Sequence, residues 1–230
     1  MEELNIHQMQ ILNTLMFLQK GKFSQLNTEK MENDHFKYHI KALCDSNHIL
    51  KNEDNTYSLT IQGKKYVSHM DLFNAKLEKQ PKTCVTALCI KIDNGIEKFL
   101  VHKKKKHPCY DFCGLPGGKV KEGNFLVNEV LRELEEETGI TGTPELIEVK
   151  HMISILKSTK EIQSDGIYYC FKITDIKGEL KNTIEGENYW MTIEEFLLQE
   201  KIFVDVIETI DVYHSGNLSF LERIDEYESI

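Results

Sequence analysis

The sequence predicts an α+β protein built from two units that differ in charge and in hydrophobic pattern. The first eighty residues read mostly as helices and carry ten basic and ten acidic side chains. The net charge of −9 therefore lies entirely in the later residues, where β-rich runs alternate with amphipathic helical patterns. A length of 230 residues suits one large or two small domains, and a charged, proline-containing stretch covers residues 76–82. We expect domains at residues 1–78 and 82–230.

Hydrophobic periodicity in the first unit indicates three helices, two short strands and a further helix. The strands flank a polar turn, which is the pattern of a β-hairpin. Either of two polar residues could cap the third helix. The helices are expected over residues 6–19, 23–30, from Asn33 or Asp34 onward, and over 61–77, with the hairpin turn at 52–55.

This order of elements is that of a winged helix-turn-helix. Residues 48–67 resemble the wing of many bacterial regulators, in which an aliphatic pair, a polar turn and the pattern L-T-x-x-G recur. In DNA-binding versions the third helix enters the major groove. Its exposed face would carry His39 and the residues that we expect to contact DNA, which are His35, Lys37, Tyr38 and Lys41.

Charge leaves the role of this unit open between DNA binding and dimerisation. A net charge near zero and an acidic wing tip, Glu53 and Asp54, disfavour tight binding, because neutralising phosphates supplies most non-specific affinity. A single helix with so few basic residues offers little contact to double-stranded DNA. We therefore expect a homodimer.

The most informative stretch is 114–140, where a glycine-rich turn precedes a helix with a dense run of glutamates. Asn124 is a candidate N-cap and Gly139 a candidate C-terminal glycine, so the helix is expected over 125–138. Apolar residues form one stripe and the carboxylates occupy the opposite arc. That acidic face could simply be solvated. Beside two adjacent glycines, it could also hold a hard divalent cation and the phosphates of a substrate.

The stretch resembles the Nudix box, in which a glycine is followed five residues later by a glutamate and seven further on by R-E-U-x-E-E-x-G-U, with U aliphatic. Gly118 opens the pattern and residues 132–140 fill its second half. Asn124 stands where the family has its first glutamate, which mainly supports the loop and the arginine. The departure bears on loop rigidity and rate more than on metal binding, and restoring glutamate there is expected to leave activity equal or higher.

The resemblance implies that residues 82–230 form a Nudix α/β/α sandwich with a mixed sheet and a C-terminal helical tail. It also implies a Mg²⁺- or Mn²⁺-dependent hydrolase that cleaves the pyrophosphate linkage of a nucleoside diphosphate derivative. The general base would be Glu133 or Glu185. Catalytic roles are expected for Glu133, Glu137 and Arg132, and metal binding for Glu133, Glu136 and Glu137, the carbonyl of Gly117, and Glu185 from an acidic loop.

A basic run at 103–106 lies just upstream of the glutamate helix. It could be a solvated loop tip, or it could attract phosphate to a site that would otherwise repel an anion. We expect Gly118, Lys119 and Lys103 to contact the substrate. Past the box, residues 154–157 show neither the proline linked to ADP-ribose nor the tyrosine linked to dinucleoside polyphosphates, which leaves the nucleotide open.

Two functions are therefore compatible with the sequence. One is the hydrolase; the other is a winged-helix transcription regulator whose Nudix domain senses a nucleotide such as ADP-ribose. The nearly intact metal-binding run favours the hydrolase.

No apolar run is long enough to span a membrane and no leader pattern is present, so we expect a cytoplasmic protein without a membrane partner. Six cysteines without C-x-x-C spacing are expected to be free thiols.

Overall fold

The structure, a computed structural model, describes residues 4–71 and 76–228. The chain divides into two compact units, Met1–Lys79 and Gln80–Ile230. All six cysteines are free thiols, as expected. Throughout the described ranges, each helix is too short or too polar to cross a membrane.

The first unit folds around one apolar core, to which α1, α3 and α4 contribute the buried residues Leu12, Phe36 and Tyr66. Its small sheet is antiparallel, with the order β1-β3-β2. The elements are α1 (Ile6–Met16), β1 (Gly21–Lys22), α2 (Phe23–Leu26), α3 (Asn33–Asp45), β2 (Ile49–Lys51), β3 (Thr56–Leu59) and α4 (Ile61–Val67).

Helices in this unit are shorter than the hydrophobic pattern indicated. α2 stops at Leu26 because the Asn27 side chain bonds both backbone groups of Met31, at 2.8 and 2.9 Å, and closes a loop instead. α3 begins at Asn33 after Glu32, so neither expected capping residue caps it. α4 ends at Val67, and its expected extension runs into residues 72–75, which lie outside the described residues.

The second unit is a mixed β-sheet flanked by helices. The sheet order is β10-β5-β4-β9-β8-β11, with β6 added to β5 and β7 added to β4. β4 runs parallel to β9 and β8 parallel to β11, while the other pairs are antiparallel. The elements are β4 (Lys82–Asp93), β5 (Ile96–Lys104), β6 (Cys113–Gly114), β7 (Gly117–Lys119), α5 (Leu126–Thr138), β8 (Ile140–Leu156), β9 (Ile162–Gly178), β10 (Gly186–Met191), α6 (Ile193–Leu197), α7 (Asp205–Ser215) and β11 (Ser219–Tyr227).

Alternation along β4 divides the core of this unit between the two faces of the sheet. Val85 and Ala87 pack in the cluster that contains Val130 of α5. Leu88, which points the other way, packs in the cluster that contains Phe196 of α6 and the buried face of α7. The sheet is therefore the middle layer between α5 on one side and α6 and α7 on the other.

The end of the chain differs from the expected helical tail. α7 ends at Gly216, whose φ of +68° is a left-handed conformation that favours glycine. The chain then forms β11, which pairs with β8 along its nine residues. Arg223 of β11 donates to Glu208 at 2.6 Å, so a charged residue takes a partly covered position and obscures the period of two that marks a strand.

Candidate active site

The site begins between β6 and α5 at a glycine turn formed by Gly117 and Gly118, the first two residues of β7. A Cβ atom at Gly117 would clash with the carbonyl oxygen of Val85, and one at Gly118 would clash with the carboxylate of Glu133. At Gly117 only glycine fits, because the obstacle is backbone, whereas a side chain at Gly118 would displace the carboxylate of Glu133. The glycine pair thus places the turn directly against the carboxylate face of α5.

Glu137 binds this turn. It is 1% exposed, and its Oε2 accepts a hydrogen bond from the backbone N–H of Gly117 at 2.8 Å. The N–H of Gly117 thus points to the carboxylate, while the expected role of the Gly117 carbonyl as a metal ligand stays a prediction. Among the residues that the structure describes, the buried Oε1 of Glu137 has no hydrogen-bond partner. A buried polar atom without a partner is costly and marks a position where a ligand could bind.

His102 of β5 faces the same oxygen. Its Nε2 is 3.7 Å from Oε1 of Glu137, and neither atom forms a hydrogen bond within the described ranges. On the other side of the ring, Nδ1 is 2.9 Å from Oδ1 of Asn188. The Asn188 amide nitrogen donates to two backbone carbonyls, those of Glu137 and Lys181, which turns its oxygen toward His102.

That arrangement fixes the tautomer of His102. Because the oxygen of Asn188 can only accept, Nδ1 of His102 carries the proton. In a neutral ring Nε2 is then an acceptor that faces the Glu137 carboxylate across a buried gap. A cation, or a group that donates hydrogen bonds to both, would satisfy the two atoms. No local pattern in the sequence indicates His102 or Asn188, because the pairing of β5 with β10 places them opposite each other.

Arg132 lies among the other glutamates of α5. Its Nη1 donates to Oε2 of Glu136 at 2.7 Å and its Nη2 contacts Glu133. Its firmest partner is Glu129, reached through Nη2 at 2.6 Å and through Nε at 3.3 Å. Glu129 was not among the expected site residues, although its spacing of three from Arg132 is that of a facing helical pair.

Asn124 takes a different role from the expected N-cap. α5 begins at Leu126 after Phe125, which makes no side-chain cap bond. The Asn124 amide instead donates to Oε1 of Glu129 at 2.5 Å. Hydrogen bonds, chiefly from Arg132 and then from Asn124, hold the pKa of the buried Glu129 carboxyl far below its ordinary value, at about 2.

Glu133 and Glu136 differ in their surroundings. The side chain of Glu133 is 15% exposed and that of Glu136 is 60% exposed. Burial raises the pKa of Glu133, with Arg132 acting in the opposite direction. Burial therefore favours the protonated form of Glu133.

Glu185 approaches from the loop before β10. It contacts Lys106, and this contact holds the pKa of Glu185 below its ordinary value. Lys106 also interacts with the charges of Glu137 and Glu133. Glu185 thus belongs to the same charged neighbourhood as the α5 carboxylates, with a lysine between them.

A cavity of about 660 Å³ opens beside the turn, a size suited to a nucleotide-like ligand. Gly118 and Lys119, expected at the substrate, line it, as do Lys104 and Lys106. Aromatic rings suited to stacking form part of the wall; they belong to Phe112, Tyr168, Phe203 and Tyr227.

Lys103, also expected at the substrate, lies away from this cavity. Side chains alternate across a strand, so neighbouring lysines of β5 and its continuation point in opposite directions. Lys103 and Lys105 approach Asp111, at 3.9 and 3.1 Å, whereas Lys104 and Lys106 line the cavity. Within the basic run, the register therefore places Lys104 and Lys106 rather than Lys103 at the cavity, and contact with phosphate stays a prediction.

α3 of the first unit exposes the residues expected to contact DNA but buries one residue that was expected on the same face. Lys37 and Tyr38 are about two-thirds exposed, and Lys41 is exposed as well. His39 is buried with the apolar side of the helix, contrary to our expectation, and burial lowers its pKa. His35 turns toward it, with 3.1 Å between the two Nε2 atoms.

Side chains in the described ranges include no group of three or more His, Cys, Asp or Glu residues already arranged as a metal centre. At the α5 site, hydrogen bonds from Arg132 and Gly117 occupy the carboxylates. The donor set still suits a hard cation, because it consists of carboxylate oxygens and includes the unpartnered Oε1 of Glu137.

Comparisons with a family model, a related sequence and a solved structure all indicate the same protein family. The NUDIX domain model matches residues 82–210. An ADP-ribose pyrophosphatase from Methanocaldococcus jannaschii is 31% identical over 146 residues, which cover 61% of this chain and 77% of that protein. The NUDIX domain of Shewanella oneidensis NrtR, solved with ADP ribose, shares the fold with a TM-score of 0.52 at 19% identity, covering 66% of this chain and 97% of that one. This chain belongs to the NUDIX domain family and is a Nudix-type pyrophosphohydrolase.

Proposed function

We propose that the chain hydrolyses the pyrophosphate linkage of a nucleoside diphosphate derivative, with Mg²⁺ or Mn²⁺, and that ADP-ribose is the first substrate to test. Water would add across the P–O–P linkage, so ADP-ribose would yield AMP and ribose 5-phosphate. The observation that carries the proposal is the buried, unpartnered Oε1 of Glu137 beside a glycine turn that borders the cavity. The activity of the M. jannaschii relative supports the choice of ADP-ribose.

Glu133, Glu136 and Glu137 would hold the cation, and Glu185 would add a ligand from the facing loop. When bound, the divalent ion neutralises phosphate oxygens and activates water. Gly117 keeps the Glu137 carboxylate in place through its N–H. The glycine turn lies close to α5 because this N–H group must reach the Glu137 carboxylate.

Side chains of the protein would accept the proton of the attacking water, neutralise the phosphates and contact the nucleobase. Glu133 is the best candidate to accept the proton of the attacking water, because burial raises its pKa. Glu185 is the weaker candidate, since Lys106 holds its pKa down. Lys104 and Lys106 provide positive charge for the phosphates at the cavity wall, and the aromatic rings offer a surface for a nucleobase.

The test is to incubate the purified chain with ADP-ribose and to quantify AMP by chromatography, with Mg²⁺, with EDTA, and with Mg²⁺ restored after EDTA. We expect AMP release only when the cation is available. Other nucleoside diphosphate sugars and dinucleoside polyphosphates tested in parallel would define the substrate class. Release that continues unchanged in EDTA would contradict the proposed metal site.

A second candidate function is supported by the exposed Lys37, Tyr38 and Lys41 on α3. We propose that residues 1–78 form a winged helix-turn-helix that binds double-stranded DNA as a homodimer, with α3 in the major groove. The chain would then act as a regulator whose nucleotide site modulates DNA binding. Pairing of Lys37 with Asp34, at 3.1 Å, means that phosphate must compete for this lysine.

A salt titration of binding to a DNA fragment from the chain's own promoter tests this second function. Lys37→Ala is expected to weaken binding to all sequences and to reduce the salt slope by about one ion per contacted phosphate. Lys160→Ala in the second unit, a similarly exposed lysine that also pairs with a carboxylate, serves as the matched control. If the wild-type chain fails to bind at about 50 mM salt, where phosphate contacts are strong, the DNA-binding proposal is wrong.

A further inference from the structure

We propose that Asn124 and Glu129 are an exchanged pair, in which Glu129 positions Arg132 in place of the glutamate that the Nudix box has at position 124. The inference rests on the proposed function, for which Glu129 is a positioning residue. Position 124 is where the chain departs from the box. Glu129 is where the structure shows an unexpected buried carboxylate.

Glu129 fixes both the position and the plane of the Arg132 guanidinium. Its two oxygens accept from Nη2 at 2.6 Å and from Nε at 3.3 Å, and such a two-point contact orients the whole group. Arg132 in turn reaches Glu136 through Nη1 at 2.7 Å and contacts Glu133 through Nη2. Two of the proposed metal-binding carboxylates therefore depend on an arginine that Glu129 orients.

Glu129 also binds the loop before the helix. It accepts from the backbone N–H of Lys121 at 3.4 Å and from the side chain of Asn124 at 2.5 Å. Support of the loop and of the arginine is the task that the resemblance assigns to the first glutamate of the box. In this chain one carboxylate contacts both, from the first turn of α5.

Asn124 and Glu129 depend on each other chemically. A glutamate at position 124 would bring a second carboxylate to the place from which the Asn124 amide now donates. Asn124 is exposed, but a second carboxylate beside the buried Glu129 would compete with it for Arg132, and like charges that close disfavour ionisation of both. Restoring the family's glutamate alone is therefore expected to impair the enzyme, in contrast to what the box pattern indicates. Exchanging both residues should keep one carboxylate, one amide and the bond between them.

The experiment compares the wild-type chain with Asn124→Glu, Glu129→Asn and the double exchange. Measurements are kcat and KM for metal-dependent hydrolysis of ADP-ribose, and Mn²⁺ affinity from a titration that needs no turnover. Glu135→Gln, an exposed glutamate on the same helix, is the matched control. Circular dichroism and thermal unfolding report whether each variant folds, and Glu129→Gln is the second single variant if Glu129→Asn is unstable.

Each single change is expected to lower kcat or Mn²⁺ affinity by about tenfold or more, with a smaller change in KM, as found when groups behind metal ligands are altered. The double exchange should return to within about threefold of the wild type. A residue that served only to stabilise the fold would show no such rescue. If the two single losses simply multiply in the double variant, or if Asn124→Glu equals the wild type, the exchanged pair is wrong.

The same data separate this inference from the proposed function. If the wild type binds Mn²⁺ but does not release AMP, the choice of ADP-ribose or of hydrolysis is wrong, while the pattern of Mn²⁺ affinities still decides the exchanged pair. If the wild type turns over and the double exchange is not rescued, only the exchanged pair is wrong. Failure of the wild type to bind Mn²⁺ would overturn both.

Discussion

A glutamate is buried to the same extent at each end of α5, but the two carboxylates differ in how many hydrogen bonds they accept. Glu129 and Glu137 are both 1% exposed. Glu129 accepts from Arg132, Asn124 and the backbone of Lys121, so both of its oxygens are engaged. Glu137 accepts one bond from the adjacent turn and keeps a buried oxygen without a partner in the described structure.

On the proposed function, this difference separates a carboxylate that positions other residues from one that would bind the cation. Burying a charge is unfavourable unless hydrogen bonds and opposite charge compensate it. Compensation is built into the fold at Glu129, where it stabilises the loop and the helix start. At Glu137 the compensation is incomplete, which is the condition expected of a group whose partner arrives with the substrate. Depth of burial alone would have ranked the two residues as equals.

The largest expected effect is at the incompletely paired end. Glu137→Gln should lower kcat for ADP-ribose hydrolysis by about a hundredfold or more, because it removes a charge that would stabilise the bound cation and the transition state. Its unfolding temperature should change little, since the variant relieves an uncompensated buried charge. Steady-state kinetics and calorimetry on the same preparation, beside Glu135→Gln, test both statements. If Glu137→Gln kept its kcat but unfolded at a much lower temperature, Glu137 would be a stabilising residue and the contrast with Glu129 would be wrong.

The fully paired end should show itself in the pH dependence of stability. The pKa of Glu129 falls from its ordinary 4.5 to about 2 on folding, so its pairing stabilises the protein above pH 4.5 and this contribution is lost as the pH falls toward 2. Glu129→Gln should lower the free energy of unfolding at neutral pH by about 1–3 kcal/mol. The gap between variant and wild type should narrow in acid.

Urea unfolding at several pH values between 2 and 7 measures this gap. The same series on Glu137→Gln, for which the comparison predicts no comparable loss at neutral pH, provides the contrast. A gap for Glu129→Gln that stays constant down to pH 2 would show that the Arg132 pairing does not depend on the charge of Glu129.

The smallest effect concerns the cavity wall and sharpens the comparison between engaged and available charges. Lys104→Ala should raise KM by about threefold to tenfold, because Lys104 lines the cavity and would face the phosphates. Lys103→Ala should change KM less than about twofold, because Lys103 approaches Asp111 instead. Measured KM values for this neighbouring pair test the strand register directly. A larger effect at Lys103 would mean that the alternation is reversed in the substrate complex.

Sequence reasoning succeeded where a local pattern determines the structure. The helix of the box was placed within one residue, because Gly139 ends it in a left-handed conformation, with φ at +79°. The capping box of α6, formed by Thr192 and Glu195, is a local feature of the same kind. Both features depend on residues within one turn of each other.

Features that depend on pairing between distant segments could not be predicted in this way. His102 meets Asn188 only because β5 and β10 are neighbours in a given register. Lys104 rather than Lys103 lines the cavity for the same reason of register, since a shift of one residue reverses every side chain. Glu129 was overlooked for a different reason: a helix in isolation gives no indication that a loop will cover one of its charged positions.

The parallel pairing of β11 with β8 also has a consequence for association between molecules. Without β11, nine positions along β8 would offer unpaired backbone groups, to which a strand of another chain could add. β11 occupies them and becomes the outer strand itself. Its exposed side chains alternate between apolar Phe220 and Ile224 and the acidic Glu222 and Glu226. Strands from two copies placed side by side would bring these like charges together, so the segment that contributes Tyr227 to the cavity also discourages edge-to-edge aggregation.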